Sequence, residues 1–209
     1  MTISDITKAR GIRDVVHFTT HKGLLGILQS GFVKSRKRLP AEMQLEYIYT
    51  PNAPYRKDVH WVDFINLSIS SINHQYFNAS CRWHREADVW WCILSFDPII
   101  LTHTGVYFTT TNNIYTGVQR GTGAAALEKL FANQVVRWIG NVQERSAQYS
   151  SSQPTCPQAE VLYPGELSID YLRRVHVEKG EDEDEVHAQL SLVRRTNIEV
   201  AVDSDKFKP

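Results

Sequence analysis

The pattern of apolar and polar positions opens with a β-branched and aromatic run, Val15-Val16-His17-Phe18-Thr19. Side chains of this kind pack well on a pleated surface, so the run predicts a strand. Helical spacing follows at once: Leu24, Ile27 and Leu28 fall on one face. Thr20 stands where its hydroxyl can accept a bond from a first-turn N–H, and Gly31 stands where a left-handed C-cap belongs. A strand that feeds a sharp turn brings exposed backbone groups together with the side chains of His17 and Thr19, which is good ground for a ligand.

Further along, Ser4 to Arg10 predicts a short helix ended by Gly11. From Leu39 to His60 the periodicity is weak and broken by Pro40, Pro51 and Pro54, which predicts a long loop; loops of that length in compact domains usually carry function or are disordered. Asp63 to Ser70 alternates, with Ile65, Leu67 and Ile69 on one face and Asn66, Ser68 and Ser70 on the other. Ser71 to Ala79 turns helical. Asp88 to Phe96 is apolar throughout and fits a central strand buried on both faces.

A strand at Val106 to Thr109 follows, then a polar, glycine-rich stretch from Thr110 to Gly123 that reads as a mobile loop. Ala124 to Asn133 forms a helix. Ser146 to Gln158 is a loop, and Ala159 to Pro164 is a short strand carrying a lone carboxylate, Glu160. Strands at Tyr171 to Val177 and Asn197 to Val202 close the chain. Between them a helix opens on Glu181 to Glu185, acids that match the positive end of its dipole. Strands and helices lack a regular beat, which favours an α+β fold over a doubly wound one.

Composition narrows the setting. A length of 209 residues, with eight Phe, nine Tyr and five Trp, supports one domain spanning 1–209 with a real core. The Trp residues (61, 83, 90, 91 and 138) are most simply core. Twenty-three basic and 23 acidic residues balance, so nucleic-acid binding has to come from a local patch. Cys81, Cys92 and Cys156 are too few for a disulfide scaffold, which implies a reducing, cytoplasmic setting. The first residues lack a basic-then-apolar signal pattern, and the longest apolar run, Val89 to Leu94, is too short to cross a membrane.

Three groups of residues carry candidate chemistry. Glu160, flanked by Ala159, Val161 and Leu162, has the company of a desolvated carboxylate, useful as a base or a charge stabiliser; a solvent-facing strand residue fits the same pattern. His17 and Thr19 share a strand face, where a ligand role and a carbonyl-bonded core histidine are both open. Lys34, Arg36, Lys37, Arg38, Arg56 and Lys57, interleaved with Tyr47, Tyr49 and Tyr55, read as a single-strand-binding surface or as an ordinary solvated face. Cys81 and His84 have ligand spacing but no second pair, so no metal is expected. Gly117, Gly121 and Gly123 match neither standard phosphate loop.

Three pieces stand in order: His17-Phe18-Thr19 with Leu24 to Gly31; Asp63-Phe64-Ile65-Asn66-Leu67-Ser68; and Gln158-Ala159-Glu160-Val161-Leu162. Together they resemble the DarT family of DNA ADP-ribosyltransferase toxins, over roughly residues 15 to 178. The resemblance implies an ADP-ribosyltransferase fold, two packed, mostly antiparallel sheets flanked by helices around an NAD+ cleft. It implies Glu160 as the catalytic glutamate and Arg56 as the catalytic-site arginine, with Arg36 and Arg38 as alternatives. NAD+, as co-substrate, would be held by His17, Phe18, Thr19, Leu24, Leu28, Arg36, Asn66 and Ser68. Single-stranded DNA would meet Lys34, Lys37, Arg38, Tyr49, Tyr55, Thr111 and Asn112.

Departures from the thymidine-modifying members point toward guanine as the target. Gly23 stands where those members have Asn, the Phe64 to Ser68 strand is poorer in aromatics, and Thr110-Thr111-Asn112 replaces a charged Asp-Arg-His run. The resemblance further implies a toxin acting as a monomer in the cytoplasm, with a cognate antitoxin of the ADP-ribosyl glycohydrolase type and no membrane contact. An ADP-ribosyltransferase or 2′-phosphotransferase acting on RNA or protein is the second reading, and a non-catalytic nucleic-acid-binding module the third.

Overall fold

A computed structural model describes residues 1–39 and 59–209. It begins with α1 (Ile3–Arg10), closed by a capping box from Thr2 and Asp5 and stopped by Gly11 at φ +66°. Strand β1 (Val15–Thr20) leads directly into α2 (His21–Ser30). The expected caps are both present: the Gly23 N–H donates to Thr20 Oγ1 at 3.2 Å, and Gly31 ends the helix at φ +77°. Strand β2 (Phe32–Lys34) follows, then β3 (Phe64–Ile69), α3 (His74–Trp83), β4 (Trp91–Phe96), β5 (Tyr107–Thr109) and β6 (Arg120–Gly121). The chain continues through α4 (Gly123–Lys129), β7 (Gln134–Trp138), β8 (Asn141–Glu144), β9 (Glu160–Pro164), β10 (Glu166–Ser168), β11 (Leu172–Val177), α5 (Gly180–Leu192) and β12 (Glu199–Val202).

Eight strands lie in the order β12-β11-β4-β1-β3-β9-β5-β6. Every neighbouring pair is antiparallel except β11 with β12, which α5 connects in parallel. The pairing is uneven. β1 runs along β4 for its whole length, from Val15↔Phe96 to Thr20↔Trp91. It meets β3 only at Val15↔Ile69 and Val16↔Ser68. Beyond Val16 the two strands part, so the sheet divides into two halves that share a two-residue seam and open into a cleft.

The apolar faces of both halves fill one main core, with Leu24, Leu67, Leu94, Phe96, Phe108, Val161 and Val175 fully enclosed. A smaller cluster of Val16, Ile72, Phe77, Ile93 and Phe207 packs on the other side of β1 and β4. β3 alternates in burial as its sequence does, which turns Phe64, Asn66 and Ser68 toward the cleft side.

Two expectations are corrected. The Thr110 to Gly123 stretch is packed. Thr110, Thr111 and Asn113 are buried, the Gln119 N–H donates to Thr110 Oγ1 at 3.1 Å, and β6 forms part of the sheet. Its polar residues satisfy backbone groups locally, which composition cannot distinguish from a solvated loop. The Trp residues do not form the core: Trp83 and Trp138 are exposed, and Trp61, Trp90 and Trp91 are half-buried. Each instead covers a polar or charged partner or packs on neighbouring rings.

Candidate active site

Glu160 opens β9 and is buried, 9% exposed, on the face that looks into the cleft. Its position is set from two neighbouring strands and a loop. Thr109, its partner on β5, accepts the Glu160 N–H at 3.1 Å. The carboxylate then accepts from two N–H donors. Oε1 takes the side-chain amide of Asn66 at 3.0 Å, and Oε2 takes the backbone N–H of Asn113 at 2.7 Å. A carboxylate with each oxygen held by a different element cannot rotate without losing a bond, so the group is preorganised.

Asn66 also faces the other half of the sheet. Its carbonyl accepts from His17 Nδ1 at 3.0 Å, at the point where β1 and β3 no longer pair. The imidazole thus replaces a missing ladder bond and is itself oriented by it, with a proton on Nδ1. His17, Asn66 and Glu160, distant in sequence, form one hydrogen-bonded line across the cleft.

Thr19 lies beside this line at the foot of α2. A Cβ at Gly23 would stand 2.2 Å from Thr19 Oγ1, so the hydroxyl occupies the space that a side chain there would need. Gly23 is therefore matched to Thr19 in this chain. A cavity of about 660 Å³ lies before the start of β9, lined among others by Ser68, Ser70, Arg137, Gln143, Gln158 and Ala159.

The remaining expected residues divide by location. Phe18 points the opposite way from His17 and Thr19 on β1, into a ring cluster with Tyr76, Phe77 and Trp91. Leu24 and Leu28 are enclosed in the main core, at 0% and 3% exposure, and act by fixing α2 rather than by touching a ligand. Thr111 is likewise buried, its hydroxyl 3.2 Å from Cys156 Sγ, and has no surface to offer DNA. Asn112 bonds its own loop, accepting the Ile114 N–H at 3.1 Å. Tyr49, Tyr55 and Arg56 lie outside the described residues.

The basic cluster forms a surface strip. Arg36 to Arg38 make one exposed 3-10 turn. Lys34 lies 4.0 Å from Glu166, Lys37 lies 3.8 Å from Asp63, and Arg38 donates to Asp63 at 3.0 Å. Bonds from Arg38 and then Ser35 hold the Asp63 carboxyl below the usual range. Two acids therefore partly offset four cations, which fixes the strip in place.

Four contributors were not singled out from sequence. Asn113 donates to Glu160 and accepts from Arg120 with both its side-chain and main-chain oxygens. The Arg120 guanidinium lies over Trp61, 5.6 Å from the ring centroid, and Trp61 packs on Phe64 and Tyr107. Thr109 anchors the strand. Arg137 donates to Gln158 and lies over Tyr115 and Trp138. The sequence holds no periodic signal for Asn113 or Arg120, because the first acts from an irregular segment and the second from the two-residue strand β6, too short to show a period.

A mostly antiparallel sheet split at β1 and β3, with a fixed buried glutamate on one half and a tethered histidine on the other, is the arrangement of an ADP-ribosyltransferase fold. The family model described as ssDNA thymidine ADP-ribosyltransferase, DarT, matches residues 16–208. The chain belongs to the DarT family.

Solved structures agree on the fold. Thermus sp. 2.9 DarT in complex with NAD+ superposes with a TM-score of 0.67 at 15% identity, covering 93% of this chain and 97% of that one. The same protein in complex with ADP-ribosylated ssDNA gives 0.66 at 12% identity, over 94% and 97%. Thermosipho africanus DarTG in complex with ADP-ribose gives 0.61 at 13% identity, covering 93% of this chain and 51% of that one, so the chain spans about half the length of that relative. No curated protein matches the sequence. Among the described residues no group of three or more His, Cys, Asp or Glu side chains gathers as a metal site, and no helix is long and apolar enough to cross a membrane.

Proposed function

We propose that this chain transfers ADP-ribose from NAD+ to a guanine base in single-stranded DNA, with Glu160 as the catalytic carboxylate. The observation that carries the reading is the line from His17 through Asn66 to Glu160 across the mouth of the split sheet. A cleft with backbone and hydroxyl groups at His17 and Thr19 suits the polar nicotinamide end of NAD+, and Gly23 removes bulk beside it.

Breaking the bond between the ribose and nicotinamide leaves the electron pair on nicotinamide and positive charge on the ribose. The Glu160 carboxylate stands where it would stabilise that charge. The exocyclic amine of guanine then forms the new C–N bond and passes its proton to Glu160. Gly23, which stands where the thymidine-modifying members have Asn, favours guanine over thymine. An arginine outside the described residues, Arg56, would hold the pyrophosphate with its planar fork. The strip from Lys34 to Arg38 would track the DNA backbone, since single-strand binders follow phosphates with cations.

A transferase of this kind acts as a toxin in the cytoplasm, as a monomer, and requires a cognate antitoxin that removes the modification. The likeness to a DarTG chain supports that pairing. The test is incubation with NAD+ and four single-stranded oligonucleotides, each lacking a different base, read by mass. A gain of one ADP-ribose that fails only without guanine supports the reading. A gain that fails only without thymine overturns the base assignment. No gain on DNA, with gain on RNA or protein, overturns the substrate class, and no NAD+ binding leaves a non-catalytic module.

A further inference from the structure

Arg120 lies in the same row of the sheet as the catalytic carboxylate. Thr109 is the cross-strand partner of Glu160 on one side and of Arg120 on the other. Cross-strand partners share a face, so Arg120 and Glu160 look the same way, two strands apart. That distance is about 10 Å between backbones, close to the width of a purine with its contacts.

The Arg120 side chain is held on one edge only. Its Nε and one Nη donate to the side-chain and main-chain oxygens of Asn113, whose own N–H holds Glu160. This engages one fork of the guanidinium. The outer fork, made by the two Nη atoms, is directed away from Asn113, and Arg120 is exposed. Trp61, with Phe64 and Tyr107 behind it, forms an apolar wall beneath the guanidinium. A planar fork with two parallel N–H groups above an indole is a site for a flat ligand edge that carries two adjacent acceptors.

We infer that Arg120 reads the target base, its outer fork taking the O6 and N7 acceptors of guanine. This rests on the guanine reading above. On the edge that bases turn to the major groove, guanine alone offers two neighbouring acceptors, O6 and N7, and arginine is their commonest partner. An arginine on that edge leaves the exocyclic amine, on the opposite side of the base, turned to the carboxylate. Thymine offers a single acceptor there and no second bond.

The test compares oligonucleotides of one sequence carrying guanine or 7-deazaguanine, which lacks the N7 acceptor, with the wild-type protein and with Arg120→Ala and Arg120→Lys. Expected is a wild-type preference for guanine on the order of tenfold in kcat/KM. It falls to near unity in Arg120→Ala and is intermediate in Arg120→Lys. Equal use of the two bases by the wild-type protein overturns the inference and needs no variant. So does a loss in Arg120→Ala that is the same for both bases, which is the signature of positioning through Asn113. A rise in the Kd for NAD+ with the preference unchanged also overturns it, since Arg120 would then hold the pyrophosphate. Modification of thymine in place of guanine by the wild-type protein is a separate result: it sinks the guanine reading itself.

Discussion

Asn66 and Glu160 stand 3.0 Å apart, amide nitrogen to carboxylate oxygen, on the neighbouring strands β3 and β9. With the Asn113 N–H on the other oxygen, the carboxylate is aimed before any ligand arrives. Glu160→Gln replaces one acceptor oxygen with a donor and sets it against an N–H. Transfer is expected to fall by roughly a hundredfold or more, with the melting curve retained. Asn66→Ala leaves the charge but frees its orientation, so kcat is expected to fall further than KM rises. Steady-state kinetics on both variants check this; wild-type rates in Glu160→Gln would refute the catalytic assignment.

Gly23 and Thr19 compete for one volume. In Gly23→Ala the new methyl would stand 2.2 Å from Thr19 Oγ1, so the hydroxyl must rotate off its present position. The Kd for NAD+ is expected to rise by about tenfold, the cost of roughly one charge-free hydrogen bond and some crowding. Thr19→Val combined with Gly23→Ala should add little beyond the single changes, because both remove the same contact. Calorimetric titration of NAD+ reads the effect, and strict additivity would separate the two residues.

The basic strip makes a prediction about salt. Single-stranded binding loses affinity with salt in proportion to the phosphates neutralised. Arg36→Ala should make the slope of log K against log salt shallower by about 0.7, whatever the sequence bound. Asp63→Asn should act in the opposite direction by releasing Lys37 and Arg38 from their shared acid. A slope unchanged in both variants would remove the strip from the DNA path.

His176 makes a prediction about pH. Burial first, and then Lys206, push it down to about 4, against a smaller opposing pull from Asp203. The folded protein therefore resists a proton that the unfolded chain takes up near 6.5. The stabilisation is complete above that value and is lost as pH falls toward 4, because the unfolded state binds more protons in this window. The slope is expected to be up to about 1.4 kcal/mol per pH unit. Its Nε2 pairs with Ser95 Oγ at 3.0 Å, so His176→Gln should keep part of that contact while flattening the melting temperature between pH 6.5 and 4.

The elements nearest the cleft were the most legible in the sequence. The run from Val15 to Gly31 announces its strand, cap, helix and stop through residue types whose roles are local, and each was found in place. The alternation from Asp63 to Ser70 gave the face on which Asn66 lies, while Ala159 to Leu162 left Glu160 either desolvated or solvent-facing, and the fold buries it. The β7–β8 hairpin was not legible, because Val136, Trp138 and Val142 face outward and blur the period of two. Asn113 and Arg120 were hidden for a different reason. Their value comes from a contact between a buried loop and a strand end far along the chain, and spacing alone does not encode that.

The seam at Val15–Val16 against Ser68–Ile69 has a mechanical consequence. The two blades share that narrow ladder and a common apolar core, and the bond from His17 to Asn66 crosses the opening just beyond the seam. A dinucleotide lying across the gap would add a second brace, stiffening both blades at once. Amide exchange should then slow on the outer ends of β1 and β3 together, and the cooperativity of unfolding should sharpen as the co-substrate concentration rises.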